Sequence, residues 1–145
     1  LGNMIHNLNY FRASLKPSTK IMAMVKAFAY GSGSKEVANL LQYHRVDYLG
    51  VAYTDEGVEL RKNNIRLPIM VMNPSPDTFE SILKYSLEPE VYNLNQLQQL
   101  LSFLHGKTCS IHIKFDTGMH RLGFSADDLD ALCKLLQENK NVRVA

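Results

Sequence analysis

Cysteine is scarce in this 145-residue chain: Cys109 and Cys133 stand alone, with no metal-like spacing between them. They read as two small buried thiols in a reducing compartment, one on a strand and one on a helix face. An excess of charge of one sign is also missing. Sixteen basic and fourteen acidic residues leave a formal net charge of +2. No basic cluster with interleaved aromatics occurs, which argues against nucleic acid and anionic membrane surfaces as partners. No apolar run approaches the roughly 18–20 residues that a membrane span needs. The eight glycines and five prolines nowhere gather into a linker, so residues 1–145 read as one unit. The opening Leu1-Gly2 brings neither a charged region nor an apolar stretch of the signal-peptide kind. An initiating methionine is lacking, and Asn141–Ala145 starts a strand pattern that breaks off. The expectation is a piece of a longer protein.

What is present is ordinary for a globular domain: 46% hydrophobic and 21% charged residues, at a length that supports one core. Strand-like and helix-like stretches alternate throughout, as in successive βα units on a parallel sheet. Met4, Ile5, Leu8, Phe11 and Leu15 recur at helical spacing and predict an amphipathic helix ending before Pro17. Strands are predicted at Lys20–Lys26 (with Ile21–Val25 fully buried), Tyr48–Ala52, Ile69–Met72, Glu88–Tyr92 and Ile111–Phe115. Helix starts are predicted at Ser34, at Thr54 with Asp55 and Glu56, at Ser75-Pro76-Asp77, at Asn93 with Gln96, and at Ser125 with Asp127 and Asp128. The last helix should bury Leu129, Leu132, Cys133 and Leu136.

Two segments carry chemistry. In the first, Met24-Val25-Lys26-Ala27-Phe28-Ala29-Tyr30-Gly31-Ser32-Gly33, a buried strand ends on a lysine, and a tyrosine and two glycines come after it. A primary amine fixed at a strand end suits a carbonyl cofactor, and backbone N–H groups freed by glycine suit a phosphate. The second runs Lys114-Phe115-Asp116-Thr117-Gly118-Met119-His120-Arg121-Leu122-Gly123-Phe124 after a predicted strand.

Together these segments resemble the two signatures of the alanine racemase family, Val-Lys-Ala-x-Ala-Tyr-Gly and Lys-x-Asp-Thr-Gly-Met-x-Arg-x-Gly, in order and about as far apart. Val51–Arg61 and Pro68–Met72 also look like family segments, so the resemblance covers about Asn3 to Ala145. It implies an α/β fold of the (β/α)8 TIM-barrel type, truncated here to five or six βα units. Strand–helix alternation alone equally permits an open doubly wound sheet. The later barrel units and a further β-domain would lie outside residues 1–145. It implies pyridoxal 5'-phosphate as cofactor and interconversion of L- and D-alanine for peptidoglycan synthesis. It also implies a cytoplasmic setting, a homodimeric parent protein, and the idea that the module is fused behind a peptidoglycan ligase.

By the same resemblance, Lys26 condenses with the cofactor aldehyde and then serves as a base. Tyr30 meets the phosphate, and Arg121 contacts the ring hydroxyl and the substrate carboxylate. Lys114 matches a lysine that many members carry as a carbamate, an N6-carboxylysine whose negative charge orients the arginine. Lys26, Tyr30 and Arg121 each have a plainer reading: a solvated strand-end lysine, a rim aromatic, and a loop arginine paired with Asp116. Asp116, Thr117 and Gly118 read as turn-makers, and His112 as a packing or hydrogen-bonding residue. No metal is inferred. Phe28 and Ser32 depart from the family pattern, where asparagine and histidine are common. The family's second base, a tyrosine from a partner subunit's β-domain, lies outside these residues. Two other readings stand beside the racemase: a non-catalytic barrel protein that binds pyridoxal phosphate for cofactor supply, and an inert piece whose open strand edges pair with another copy.

Overall fold

The computed structural model describes residues 2–145. Its strands are β1 (Met22–Met24), β2 (Tyr48–Val51), β3 (Ile69–Val71), β4 (Glu88–Val91), β5 (Cys109–Ile113) and β6 (Val142–Val144). The helices are α1 (Gly2–Ala13), α3 (Ser34–Tyr43), α4 (Thr54–Lys62), α5 (Phe79–Lys84), α6 (Leu94–Leu104) and α7 (Leu129–Glu138). The five-residue turn α2 (Lys26–Tyr30) comes directly after β1. Every neighbouring strand pair is parallel, and the order across the sheet is the order along the chain. A doubly wound sheet reverses its strand order at a switch point. This one never reverses, so it winds as a barrel does.

The sheet also curls. Tyr48 on β2 and His112 on β5 meet edge to face with ring centroids 5.6 Å apart. Two strands intervene between them, and at ~4.8 Å per strand a flat sheet would hold their backbones ~14 Å apart. Only a concave wall brings them together. Its polar groups are satisfied in pairs: His112 Nε2 lies 2.7 Å from Glu88 Oε2, and Lys114 Nζ 3.4 Å from Glu90 Oε2. Burial first, and then the facing Glu88 carboxylate, push the Tyr48 phenol above its ordinary range. On the convex face Leu49, Val51, Ile69, Val71, Val91 and Ile111 pack with Leu60, Phe79, Ile82, Leu97 and Leu100 from the helices, all almost fully buried.

Several sequence expectations need correction. Only Val25 of the Ile21–Val25 run is buried; Met22 is 37% exposed because it faces the concave side with Met24. In α1, Met4 and Leu8 pack on the core while Phe11 is exposed, and Leu15, also exposed, lies past the end of the helix at Ala13. The N-cap of α3 is Gly33, not Ser34, and that of α4 is Tyr53, one residue before Thr54. Thr54 Oγ1 instead donates to Thr78 Oγ1 at 2.9 Å. In α7, Leu132 takes the inward position and Cys133, one residue further round the helix, is exposed, as is Leu129. Cys109 is buried, which pushes its thiol up to about 11. The Asn93–Gln96 cap does form: Gln96 N–H donates to Asn93 Oδ1 at 2.8 Å, and Gln96 Oε1 accepts from the Tyr92 N–H.

Candidate functional site

Val25 is held in the sheet by its N–H bond to Gly50 O, 2.9 Å, so Lys26 leaves the carboxyl end of β1 from a fixed point. The chain then turns the wrong way for L-residues. Ala27, Phe28, Ala29 and Tyr30 have φ of 50°, 56°, 50° and 54°, a left-handed turn closed by Gly31 at φ 86°. Such a conformation costs about 1–2 kcal/mol per residue, so it persists only where surrounding bonds hold it. Ala29 N–H reaches Val25 O at 3.1 Å, and the N–H groups of Gly31 and Gly33 both reach Phe28 O. The first N–H of the turn, that of Ala27, donates to Glu56 Oε1 at 2.7 Å. Glu56 Oε2 accepts from Ala52 N–H at 2.7 Å and Tyr53 N–H at 3.2 Å. One carboxylate at the start of α4 thus ties the exits of β1 and β2 together. The sequence offered it only as part of an acidic first turn.

Lys26 is half-buried, while Tyr30 is 66% exposed at the rim. Neither side chain has a hydrogen-bonding or ion-pair partner among the described residues.

Lys114 and Arg121 come from the exit of β5. The segment after Lys114 is cinched at its base: Phe124 N–H donates to Lys114 O at 2.8 Å, and Asp116 N–H to Phe124 O at 3.0 Å. Phe124 is buried at that closure, against the Phe115 ring. Inside the loop Asp116 Oδ1 accepts from Gly118 N–H at 2.9 Å and His120 N–H at 3.0 Å, the turn-making role read from the sequence. Those two donors, with the nearby His120 ring, hold the Asp116 carboxyl below its ordinary range. Asp116 pairs with His120 Nδ1 at 3.2 Å rather than with Arg121. The Arg121 guanidinium is exposed and has no hydrogen-bonding or ion-pair partner among the described residues.

Lys26, Tyr30, Lys114 and Arg121 therefore all stand at carboxyl ends of strands, where barrel enzymes place their reactive groups. They leave from β1 and β5, three strands apart in the sheet order, and among the described residues no hydrogen bond or ion pair joins any two of the four side chains. The groove of about 410 Å³ lined by Ser86, Glu88, Thr108, Lys140 and Arg143 opens beside the starts of β4, β5 and β6, the wrong end for this chemistry. No group of three His, Cys, Asp or Glu side chains suited to a metal occurs among the described residues.

Fold and site together define a parallel βα barrel segment with an amine and a guanidinium at its strand-exit rim. The model for the alanine racemase N-terminal domain matches residues 1–145, and the chain belongs to the alanine racemase family. It is 40% identical over 121 residues to a serine/alanine racemase of Enterococcus gallinarum, covering 83% of this chain and 17% of that protein. It is 36% identical over 146 residues to alanine racemase 1 of Caldanaerobacter subterraneus subsp. tengcongensis, covering 99% of this chain and 37% of that protein. Among solved structures it is similar to alanine racemase of Clostridium difficile 630, with a TM-score of 0.93 and 36% identity, over 99% of this chain and 39% of that one. The same protein is also known in complex with cycloserine. The chain thus spans well under half the length of these relatives.

Proposed function

We propose that this chain is the pyridoxal-phosphate-binding half of a racemase that interconverts L- and D-alanine. The observation that carries the reading is Lys26, whose backbone is held at the exit of β1 between the sheet and a strained turn and whose amine is free of any protein partner among the described residues. The donor set fits the cofactor: an amine for an aldehyde, the Tyr30 phenol for a phosphate, and the Arg121 fork for a carboxylate. When bound, the group supplies an aldehyde to hold the substrate amine and a conjugated ring to spread the electrons left at Cα. Lys26 Nζ takes the Cα proton on one face and returns it there. Inversion at carbon needs a second base on the opposite face, supplied by residues outside this chain. Arg121 orients the substrate by its carboxylate. We place the whole protein in the cytoplasm as a homodimer that feeds peptidoglycan synthesis. The cofactor-supply alternative has no use for the Arg121 loop.

The whole protein, loaded with pyridoxal phosphate, should convert either alanine enantiomer to an equal mixture, since enantiomers have equal free energies in water. Deuterium from solvent should enter at Cα. Failure of both enantiomers to exchange their Cα proton would count against the reading.

Lys114 is the position for a carbamate. Its Nζ faces Glu90, whose side chain is only 11% exposed, and that pair suits an ammonium. A carbamate there would set two anions side by side, so Glu90 opposes the modification. In 13C-labelled bicarbonate, Glu90→Gln should show a carbamate carbon signal several-fold stronger than the unsubstituted protein. Equal signals would remove Glu90 from the account.

A further inference from the structure

We propose that Glu56 is the positioning residue for Lys26, acting through the Ala27 N–H; the inference rests on the reading of Lys26 as the cofactor-binding amine. Twenty-nine residues separate Glu56 from Ala27, so the contact is tertiary, not part of helix capping. The two carboxylate oxygens divide the work. Oε2 accepts the Ala52 and Tyr53 N–H groups and so caps the start of α4. Oε1 takes the Ala27 N–H at 2.7 Å. The peptide unit carrying that N–H also carries the carbonyl of Lys26. With Val25 held in the sheet on one side and this peptide held on the other, both φ and ψ of Lys26 are restrained, and with them the direction of its Cα–Cβ bond.

The strain in the turn makes this restraint necessary. Four successive non-glycine residues, 27 to 30, sit at positive φ. The relaxed alternative for each lies on the other side of the map. The bonds from Ala29, Gly31 and Gly33 act within the turn and toward its end. Among the described residues, only the Glu56 bond ties the first peptide of the turn to another βα unit. Without it the turn can relax from its first residue, and Lys26 loses its fixed heading while β1 stays paired through Val25.

Two variants separate positioning from capping. Glu56→Gln keeps the chain length but replaces one acceptor oxygen by a donor NH2, which cannot accept the third N–H. Glu56→Asp keeps both acceptors but is shorter by one methylene. It can still cap α4 while falling short of Ala27. Two measurements are made well below the unfolding midpoint: hydrogen exchange at the Ala27 amide without cofactor, and borohydride-fixed labelling by pyridoxal phosphate mapped lysine by lysine. Arg61→Lys is the control. It weakens the four bonds from Arg61 to the carbonyls of Ile65, Leu67, Tyr85 and Ser86, away from the turn.

Both Glu56 variants should speed exchange at Ala27 at least tenfold and cut the Lys26 share of the label at least fivefold. The Asp variant should unfold within a few degrees of the parent. Arg61→Lys should be destabilised with its Lys26 share unchanged. Unchanged Lys26 labelling in both Glu56 variants would overturn the proposal, and so would unchanged Ala27 exchange. If the unsubstituted protein itself shows no preference for Lys26, the reading of the site fails and this inference falls with it. That result is distinct, because the parent rather than the variant then fails.

Discussion

Replacing Lys26 by Ala should lower kcat/KM for alanine racemisation in the whole protein by at least about 10⁴-fold, roughly 5 kcal/mol of transition-state stabilisation. The amine has two duties in the proposed site, tethering the cofactor and moving the Cα proton, and among the described residues no other lysine directly follows β1. Lys26→Arg should fail almost as badly. It keeps the positive charge but offers no free amine near neutral pH. Added small amines should restore part of the Ala variant's rate, because they stand in for the lost base without rebuilding the tether. The fold should hardly register the change. Lys26 is half-buried and unpaired among the described residues, so Lys26→Ala should alter stability by less than about 0.5 kcal/mol. A variant that keeps activity within tenfold of the parent would remove Lys26 from the mechanism.

Gly123→Ala should be the most damaging small substitution in the Arg121 loop, costing on the order of 3–5 kcal/mol. Gly123 has φ 138°, and a methyl group there would lie 2.5 Å from the Phe115 carbonyl carbon and 2.9 Å from Asp116 Cα. Those are backbone atoms at the cinched base of the loop, so no side chain can swing aside. Relief requires breaking the Asp116–Phe124 or Phe124–Lys114 hydrogen bonds, and Arg121 then loses its anchorage. Gly118→Ala is the comparison. Its φ of 131° is equally unsuited to alanine, yet nothing lies within 4 Å of the added carbon. It should cost only the backbone strain, about 1–2 kcal/mol. Thermal or urea unfolding measures both. Equal losses would mean that the close approach at Gly123 is unimportant.

Much of the barrel was legible because its signals are local. Apolar stretches such as Ile69–Met72 and Ile111–Phe115 mark strands, and Asn93 with Gln96 marks the start of α6. The left-handed turn was not legible. Ala27, Phe28, Ala29 and Tyr30 have no preference for positive φ, and only Gly31 and Gly33 hinted at unusual backbone. The role of Glu56 was hidden for a related reason: its partner is a backbone N–H on another βα unit, and side-chain type says nothing of that pairing. The pairs Glu88–His112 and Glu90–Lys114 depend on the register between β4 and β5, which alternation does not specify. Cys133 faces outward because Leu132, Leu135 and Leu136 already fill the inward face of α7, a choice that helical spacing alone leaves open.

Whether Lys26 is the amine that meets the cofactor can be measured on this chain alone. Pyridoxal phosphate is added, the adduct is fixed with borohydride, and the modified peptide is identified by mass spectrometry. One phosphopyridoxyl group per chain is expected, on Lys26, and it should be lost in Lys26→Ala. Label scattered over the exposed lysines, or none at all, would contradict it.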